Sequence, residues 1–372
     1  MKTYKHLYAQ IGTFENLSRA FYQARRGKPK TPEMCAFEFN LEENLFALQA
    51  ELETQTYQPS GYRHFYIYEP KKRLVSAAPF RDRVAQHALC NIIEPIFEKR
   101  FIEDSYACRV GKGTHRALAR AQEFLRKHEY VFHGDILKFF ASVDHPILLG
   151  MLERRLQDAQ VMTLIRKILA SGDGVLADEY PMQWFPGDDL LSPLARARGL
   201  PIGNLTSQFW ANLYLHELDL FVKHTLRCHA YVRYMDDFLL FSHDKAELHH
   251  WRGEVARFLQ TVRLSLHPRK QRIYPVCTGV DFVGFVSFPH RVKIRRDSVR
   301  RLTQRLREFQ RQFSAGEITL TQIEQSLQSW VAHSRYADSF QLRRQIISRY
   351  VWRPPTSETL ARDFGSLRAR HE

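Results

Sequence analysis

Two adjacent aspartates, Asp236 and Asp237, stand between two runs of strand-forming residues in the stretch YVRYMDDFLLFS. Aspartate tolerates the backbone of a two-residue hairpin, so the pattern predicts two antiparallel strands that turn at Asp236-Asp237. A plain turn is a sufficient explanation of the pair taken alone. Two neighbouring carboxylates repel one another, however, and something in the fold has to offset that repulsion.

A second strand-like segment, YVFHGD, also ends in an acid, Asp135. Acids at the ends of two neighbouring strands converge on divalent cations when the strands share a sheet. Two Mg²⁺ ions about 4 Å apart neutralise such a cluster and hold the attacking and leaving oxygens of a phosphoryl transfer. Hard oxygen ligands and substrate phosphates suit magnesium rather than zinc.

Several other segments have helical or irregular patterns. The stretch RDRVAQHALCNIIEPIFEKRF has a helical period that Pro95 is expected to interrupt, and Asp144 is a good N-cap for a helix with Pro146 in its first turn. Residues 171–199 are rich in Gly, Pro and Asp and predict a long irregular insertion. A helix is expected after LPIGN, with Leu205, Phe209, Leu213 and Leu218 near one face.

The charge of the chain points to a polyanionic partner. Lys and Arg number 55 against 40 Asp and Glu, which gives a formal net charge of +15. A basic surface that binds nothing remains the alternative. An acylation signal, a bilayer-spanning apolar run and a secretory leader are all missing from the sequence, so a cytoplasmic protein without membrane binding is expected. The five scattered cysteines lack zinc-site spacing and predict reduced thiols in the core.

Five motifs in one order carry a resemblance to a known family: HGDILKFFASVD, GLPIGNLTSQ, YMDD, LHPRKQ and FVGF. In this order they resemble the palm motifs of reverse transcriptases. The resemblance implies an α+β, right-hand polymerase with fingers, a palm of antiparallel sheet with packed helices, and a helical thumb. The implied domains are an N-terminal extension with fingers at 1–130, a palm at 131–289 containing the insertion at about 171–199, and a basic thumb at 290–372.

The resemblance also implies the catalytic residues, Asp135, Asp236 and Asp237. Asp135 and Asp236 are the implied ligands of two Mg²⁺ ions, with Asp237 adjacent to the metals and Ile136 lending a backbone carbonyl. Phe140 falls where the family places an aromatic gate against the ribose 2′-hydroxyl, so deoxynucleotides are expected to be preferred. A buried core aromatic is the alternative for Phe140.

Basic residues supply the implied nucleotide-binding and nucleic-acid-binding positions. Arg73, with Lys72 and Arg81 as weaker candidates, matches the fingers segment that holds the incoming triphosphate. Lys270 occupies the position of a late palm lysine that acts as general acid toward pyrophosphate, and an exposed lysine is the alternative. The thumb helices, beginning near Ser298, are expected to contact duplex phosphates through Arg295, Arg296, Arg300 and Arg301.

The motif IGNLTSQ resembles one branch of the family, the reverse transcriptases of diversity-generating retroelements. Most relatives have Gln where this chain has Ile202 and Pro where it has Gln208, and both residues are predicted to lie in the nucleotide-binding region. The branch implies copying of a template RNA into cDNA with errors mainly opposite adenines, for mutagenic retrohoming into a target gene. It also implies template RNA, primer, dNTP substrates and a small basic helical accessory protein as partners.

Three other functions fit the same residues. The chain can be an antiviral reverse transcriptase or a group II intron-type reverse transcriptase. A catalytically idle RNA-binding scaffold also accounts for the positive charge, and it is the alternative from a different functional class.

Overall fold

The computed structural model describes residues 2–27, 31–68 and 72–353, in which helices and strands are mixed as predicted for an α+β chain. The helices are α1 (Tyr8–Ile11), α2 (Phe14–Arg25), α3 (Pro32–Phe39), α4 (Leu41–Glu53), α5 (Phe80–Glu98), α6 (Thr114–Lys127), α7 (Phe139–Ser142), α8 (His145–Glu153), α9 (Ala159–Ala170), α10 (Ser192–Ala195), α11 (Leu205–Leu220), α12 (Lys245–Thr261), α13 (Arg296–Ser314), α14 (Leu320–Ser334) and α15 (Phe340–Ile347). The strands are β1 (Arg63–Ile67), β2 (Arg73–Ala77), β3 (Tyr130–Asp135), β4 (Tyr231–Tyr234), β5 (Asp237–Ser242), β6 (Arg272–Pro275), β7 (Val280–Phe282), β8 (Phe285–Phe288) and β9 (Arg291–Ile294).

The chain divides into two compact units. The first contains the residues up to Ala117 together with Phe132–Ile273, and the second contains Leu118–Val131 and the residues from Tyr274 onward. Fingers, palm and thumb are finer divisions than these units, and their boundaries stay predictions. Residues 354–372 of the predicted thumb lie outside the described part of the chain.

A four-stranded sheet in the order β4-β5-β3-β6 places the two acidic strand ends next to each other. The strand predicted at YVFHGD is confirmed, since β3 covers these six residues. A side chain at Gly134 has no room here, because a Cβ atom would lie 2.3 Å from Cζ of Phe238 on the adjacent strand. Glycine before Asp135 therefore lets β5 approach β3 closely.

The long helix α11 is buried on nearly all sides rather than along one face. Twelve of its sixteen residues are buried, including polar ones such as Asn212, His216 and Asp219. It packs against α5, α8 and α12, so the single apolar face predicted from its leucines describes only part of its surroundings. Helix α5 also differs from the prediction, because it continues through Pro95 to Glu98. Proline there lies in the last turn, where only one backbone hydrogen bond is lost.

The segment predicted to be an irregular insertion has little regular structure and is firmly anchored. Between residues 171 and 199 only one 3₁₀ turn, Ala177–Glu179, and the short helix α10 are regular within the described chain. Arg196 lies within 2.5 Å of Asp188 and 3.5 Å of Asp144, while Arg263 bonds Asp144 at 2.7 Å. Asp144 also caps α8 by accepting from the backbone N–H of Ile147, as predicted. One buried carboxylate therefore fixes both a helix start and the insertion.

The second unit contains a three-stranded sheet, β7-β8-β9, and the helices α13, α14 and α15. The predicted basic helix begins at Arg296, close to the expected Ser298. Leu302 and Leu306 of this helix are buried with Ile346 of α15, so its opposite, arginine-rich face is left to solvent.

The thiols and the helix lengths bear on two further expectations. All five cysteines are free, but only Cys90 and Cys228 are buried, so the prediction of core thiols is wrong for Cys35, Cys108 and Cys277. No helix in the described part of the chain is long and apolar enough to cross a membrane.

His216 on α11 gives the structure a predictable response to acid. Its two ring nitrogens are buried without a hydrogen-bond partner among the described residues, and the ring packs edge-on against Phe101 at 5.3 Å. Burial lowers the pKa of His216 to about 4. The unfolded chain takes up this proton near pH ~6.5, so stability is complete above that pH and falls as the pH drops toward 4.

Replacing His216 with Leu is expected to remove this acid dependence, which linkage limits to about 3 kcal/mol near pH 4. The measurement is the free energy of unfolding by urea at pH 4.5 and pH 7.5. His249 is exposed on α12, and His249→Gln is the matched control that leaves the pH dependence intact. An unchanged pH dependence in His216→Leu contradicts the prediction.

Candidate active site

The acidic hairpin turns one residue earlier than the sequence predicts. Tyr234 pairs with Asp237, so the two turn residues are Met235 and Asp236, and Asp237 is the first residue of β5. Met235 has a φ of 57°, in the left-handed region that residues other than glycine rarely adopt. Such strain persists only where surrounding contacts hold it, and here it sets the direction of Asp236.

Asp135 and Asp236 lie at the same end of the sheet. The backbone N–H of Ile136 donates to the carbonyl oxygen of Asp236 at 3.3 Å, which joins the end of β3 to the turn. Both aspartates line one cavity of about 310 Å³. Its other lining residues are Lys72, Arg73, Ile136, Leu137, Lys138, Phe139, Phe140, Ala141, Leu176, Glu179, Ile202, His267 and Lys270.

The two carboxylates influence each other electrostatically. Burial and, as the second cause, the nearby charge of Asp135 together raise the pKa of Asp236 to about 6. Lys270 donates to Oδ2 of Asp135 at 2.7 Å and so offsets part of the negative charge. The carboxylates of Asp135 and Asp236 therefore repel each other in the fold, and protein groups offset only part of this repulsion.

The LHPRKQ segment owes its position to the same strand end. Leu137 donates its backbone N–H to the carbonyl of Ser265 at 2.9 Å, and His267 donates to the carbonyl of Asp135 at 2.7 Å. These bonds extend the sheet locally beyond β3. They bring Lys270, a few residues later, to the carboxylate of Asp135.

The donor set fits magnesium. In the described ranges no group of three or more His, Cys, Asp or Glu side chains is arranged to hold a metal ion. The cavity instead offers two carboxylates and the backbone at Ile136. Magnesium is commonly bound by one or two carboxylates, waters and substrate phosphates rather than by a complete protein cage. This site therefore suits an ion that arrives with a phosphorylated substrate.

Asp237 does not line the cavity. Its Oδ1 atom lies 2.6 Å from Nε2 of His133, a residue of β3 two positions before Asp135. Asp237 thus ties β5 to β3 across the sheet, and its role near the metals stays a prediction. His133 is a site residue that the sequence reasoning missed, although its place in YVFHGD put it on the correct strand.

Most of the predicted nucleotide-binding residues meet in the cavity. Lys72, Arg73, Phe140, Ile202 and Lys270 all line it, from segments far apart in the sequence. Phe140 is half-buried and lies edge-on to the buried ring of Phe139 at 5.5 Å, so the two adjacent rings differ in exposure although both line the cavity. Their roles stay predictions, but their convergence follows from the fold.

Two predicted nucleotide-binding residues lie elsewhere. Arg81 forms ion pairs with Glu51 and Asp82, and its guanidinium lies 5.0 Å from the ring centre of Tyr57. Through these contacts Arg81 joins α5 to α4. Gln208 is exposed on α11 and does not line the cavity. Neighbouring positions in a motif need not share a surface, because successive helical residues point about 100° apart.

The insertion contributes residues to the cavity that the sequence reasoning missed. Leu176 and Glu179 line it, and Glu179 accepts from Lys138 at 3.4 Å. At the other end of the insertion, Leu200 donates its backbone N–H to the carbonyl of Phe140 at 2.7 Å. The insertion therefore supports the segment that carries Phe140. Its irregular sequence carried no pattern that predicts these contacts.

The predicted phosphate-contacting arginines lie in the second unit, around the start of α13. Arg296 and Arg300 are exposed and Arg301 is half-buried. Arg295 pairs with Asp281 of β7. Exposed guanidinium groups such as those of Arg296 and Arg300 are suited to contact a phosphate backbone, while Arg295 first has to exchange its partner.

A family model described as "Reverse transcriptase (RNA-dependent DNA polymerase)" matches residues 68–287. "Group II intron-encoded protein LtrA" of Lactococcus lactis subsp. cremoris is 30% identical over 184 residues, 49% of this chain and 28% of that protein. "Protein YkfC" of Escherichia coli (strain K12) is 27% identical over 277 residues, 64% of this chain and 69% of that protein. The chain thus spans under a third of the length of LtrA.

Among solved structures, a telomerase from Candida albicans in complex with a fragment of telomeric RNA is 12% identical, with a TM-score of 0.43. The similarity covers 73% of this chain and 54% of that one.

Proposed function

Because this chain belongs to the reverse transcriptase (RNA-dependent DNA polymerase) family, we propose that it is an RNA-directed DNA polymerase that copies a template RNA into cDNA. One observation carries the proposal. Asp135, Asp236, Phe140 and Lys270 line one cavity with the basic pair Lys72 and Arg73, although they come from separate parts of the sequence. A scaffold that only binds RNA needs a basic surface but no such convergence.

Each group has a distinct task in this proposal. Asp135 and Asp236 hold two Mg²⁺ ions together with the substrate phosphates, and bound magnesium stabilises the charge that develops on the phosphoryl oxygens. Lys72 and Arg73 bind the triphosphate through charge-assisted hydrogen bonds. Lys270 holds a proton at Nζ inside the cavity and gives it to the departing pyrophosphate.

The proposal is tested by primer extension with the purified chain. The reaction contains a primed RNA template, the four dNTPs and Mg²⁺, with and without a basic accessory protein. Template-dependent extension supports the polymerase. The absence of synthesis under both conditions, with RNA binding retained, favours the idle scaffold.

We further propose that the chain belongs to the diversity-generating branch and copies adenines inaccurately. Ile202 supports this because it lines the cavity with an aliphatic side chain while its own carbonyl accepts from the N–H of Ser76 on β2 at 2.8 Å. An aliphatic side chain cannot offer the hydrogen bonds of an amide to a nucleotide or template base. A pocket with fewer polar contacts discriminates less between correct and incorrect pairs.

A group II intron-type reverse transcriptase is the second candidate. It is favoured by the similarity to an intron-encoded protein that covers 49% of this chain. Error frequency opposite template adenines distinguishes the two, because only the diversity-generating enzyme is expected to misincorporate selectively there.

Replacing Ile202 with Gln is expected to lower misincorporation opposite template adenines by roughly tenfold, because the amide restores hydrogen-bond discrimination. The measurement is deep sequencing of cDNA made on a defined RNA template. Ile202→Val keeps the position apolar and is the matched control, with an unchanged error spectrum. An Ile202→Gln enzyme that still errs at adenines as often as the parent removes Ile202 from the explanation.

The N-terminal helices offer a surface for the proposed accessory protein. Residues 31–57 contain six glutamates and neither lysine nor arginine, in a chain whose net charge is +15. Glu42 and Glu43 are exposed on α4, next to the exposed ring of Phe46, which stacks on Phe14 at 4.9 Å. An acidic surface with exposed aromatic rings is complementary to a basic helical protein.

Reversing the charge at this surface, with Glu42→Lys and Glu43→Lys together, is expected to weaken binding of a small basic accessory protein of such a retroelement on the order of tenfold. Binding is measured by calorimetry at low salt. The same change at two exposed glutamates of the second unit, Glu317→Lys and Glu324→Lys, is the control. Equal weakening by both double variants argues against a docking surface at Glu42 and Glu43.

A further inference from the structure

A fully buried ion pair lies beneath the acidic hairpin. Arg233, the residue before the YMDD motif, is bonded by two nitrogens to the carboxylate of Asp219 on α11: Nε to Oδ1 and Nη2 to Oδ2, each at 2.6 Å. Neither side chain has any exposed surface. The hydroxyl of Tyr231 donates to the same carboxylate at 2.8 Å, so Asp219 is held from β4 at two points.

The third nitrogen of this guanidinium reaches the turn itself. Nη1 of Arg233 donates to the carbonyl oxygen of Met235 at 3.2 Å and contacts Oδ1 of Asn212 at 3.3 Å. That carbonyl belongs to the peptide that joins Met235 to Asp236. It also belongs to the residue with the strained φ of 57°. Arg233 therefore bonds the backbone at the point that directs the carboxylate of Asp236.

The backbone of Arg233 is fixed as well. Its N–H donates to the carbonyl of Asp104 at 2.9 Å, and its carbonyl accepts from the N–H of Tyr106 at 3.0 Å. The 104–106 segment thus fixes the backbone of Arg233, and α11 fixes its guanidinium. A side chain that is held at both ends moves little, so the turn that it contacts is restrained as well.

Stability alone gives little reason for this arrangement. Removing two charges from water costs several kcal/mol per ion, and apolar residues of similar size are commonly as stable or more so. A planar guanidinium with five fixed donors, however, can hold a carboxylate and a backbone carbonyl at once, which no apolar side chain can do. The geometry therefore favours a role in fixing the position of the turn.

We propose that Arg233, oriented by Asp219, is a positioning residue that sets the divalent-metal affinity of the hairpin by holding the carbonyl of Met235. The proposal rests on the proposed polymerase function in one respect, namely that the hairpin carries a metal site. It concerns a residue that lies outside the cavity and touches neither metal nor substrate. Residues that orient metal ligands from outside typically change metal affinity by about 10-fold to 100-fold.

The test is Arg233→Lys, which keeps the charge and loses the planar fork. Mn²⁺ binding to the full chain is titrated by electron paramagnetic resonance, and the metal-induced rise in Tm is recorded in parallel. We expect the Mn²⁺ dissociation constant to rise by about tenfold. Primer extension should become half-maximal at correspondingly higher Mg²⁺, with little change in the KM for dNTP.

Tyr231→Phe is the matched control, because it removes a buried bond to the same carboxylate but leaves the bond from Arg233 to Met235 in place. It is expected to lower Tm without changing Mn²⁺ affinity. If Arg233→Lys binds Mn²⁺ as tightly as the parent, or if Tyr231→Phe weakens binding equally, the positioning role is wrong. Where Arg233→Lys does not fold, Asp219→Asn provides the same comparison, with an expected intermediate loss of affinity.

Failure of the proposed function gives a different result. A parent chain that shows neither Mn²⁺ binding nor primer extension overturns the polymerase and, with it, the positioning role. A parent that binds and extends, together with an unaffected Arg233→Lys variant, overturns the positioning role alone.

Discussion

Replacing Asp236 with Asn is expected to reduce nucleotide incorporation on the order of 10³-fold or more while leaving RNA binding intact. Asn keeps the shape of the side chain but removes the negative charge from the cavity that also contains Asp135. Metal-assisted stabilisation of phosphoryl charge is worth several kcal/mol, and each ~1.4 kcal/mol corresponds to a factor of ten in rate. The measurement is single-turnover primer extension on an RNA template, beside a filter-binding measurement of RNA affinity.

A second Asp-to-Asn variant controls for general effects of the substitution. Asp244 caps α12 and lies outside the cavity, and Asn is an equally good cap, so Asp244→Asn is expected to retain parental activity. Extension by Asp236→Asn within tenfold of the parent contradicts the predicted metal site. A parallel loss of RNA binding indicates instead that the substitution disrupts the fold.

Replacing Phe140 with Val is expected to raise incorporation of ribonucleotides relative to deoxynucleotides by about 30-fold to 100-fold. Phe140 lines the cavity and is half-buried. Under the proposed function its ring lies against the sugar and leaves no room for a 2′-hydroxyl. Forcing an extra group into a well-packed site costs about 1–3 kcal/mol, and the smaller side chain removes that cost. The measurement is the ratio of kcat/KM for a ribonucleotide and its deoxynucleotide on the same primed template.

A variant of the neighbouring residue Phe139 distinguishes a gating role of Phe140 from a packing role. Phe139 is 2% exposed and contacts Phe140 edge-on. Phe139→Leu is expected to lower the free energy of unfolding without changing sugar selectivity. If both variants alter selectivity alike, or if Phe140→Val changes only stability, Phe140 is a packing residue, which is the alternative that its sequence left open.

The sequence predicted the elements that depend on local patterns. The strand YVFHGD and the cap at Asp144 follow from short-range rules, and the structure confirms them. Errors arose where longer-range packing decides. Local rules predict that Pro95 interrupts a helix that in fact continues to Glu98, and they predict one apolar face for α11, which is buried nearly all round.

The position of the hairpin turn shows the same limit at the candidate active site. Two aspartates made Asp236-Asp237 the preferred turn on local chemistry, but the register places Met235 in the turn with a positive φ. That conformation is unfavourable on its own. Arg233 bonds the carbonyl of Met235 from a buried position and is one contact that supports this conformation. The sequence contains Arg233 and Asp219, but no pattern marks them as partners.

By itself the sequence determined the family of this protein and the side chains available for the proposed chemistry, through the order of the motifs that contain Asp135, Phe140, Ile202, Asp236 and Lys270. Only the tertiary structure decided which of the other predicted residues line the same cavity as these five. It excludes Arg81 and Gln208 from the cavity, directs Asp237 to His133 and adds Leu176 and Glu179 from the insertion. The physical reason is that residue type fixes what a side chain can bind, whereas its direction is fixed by contacts with residues distant in the chain.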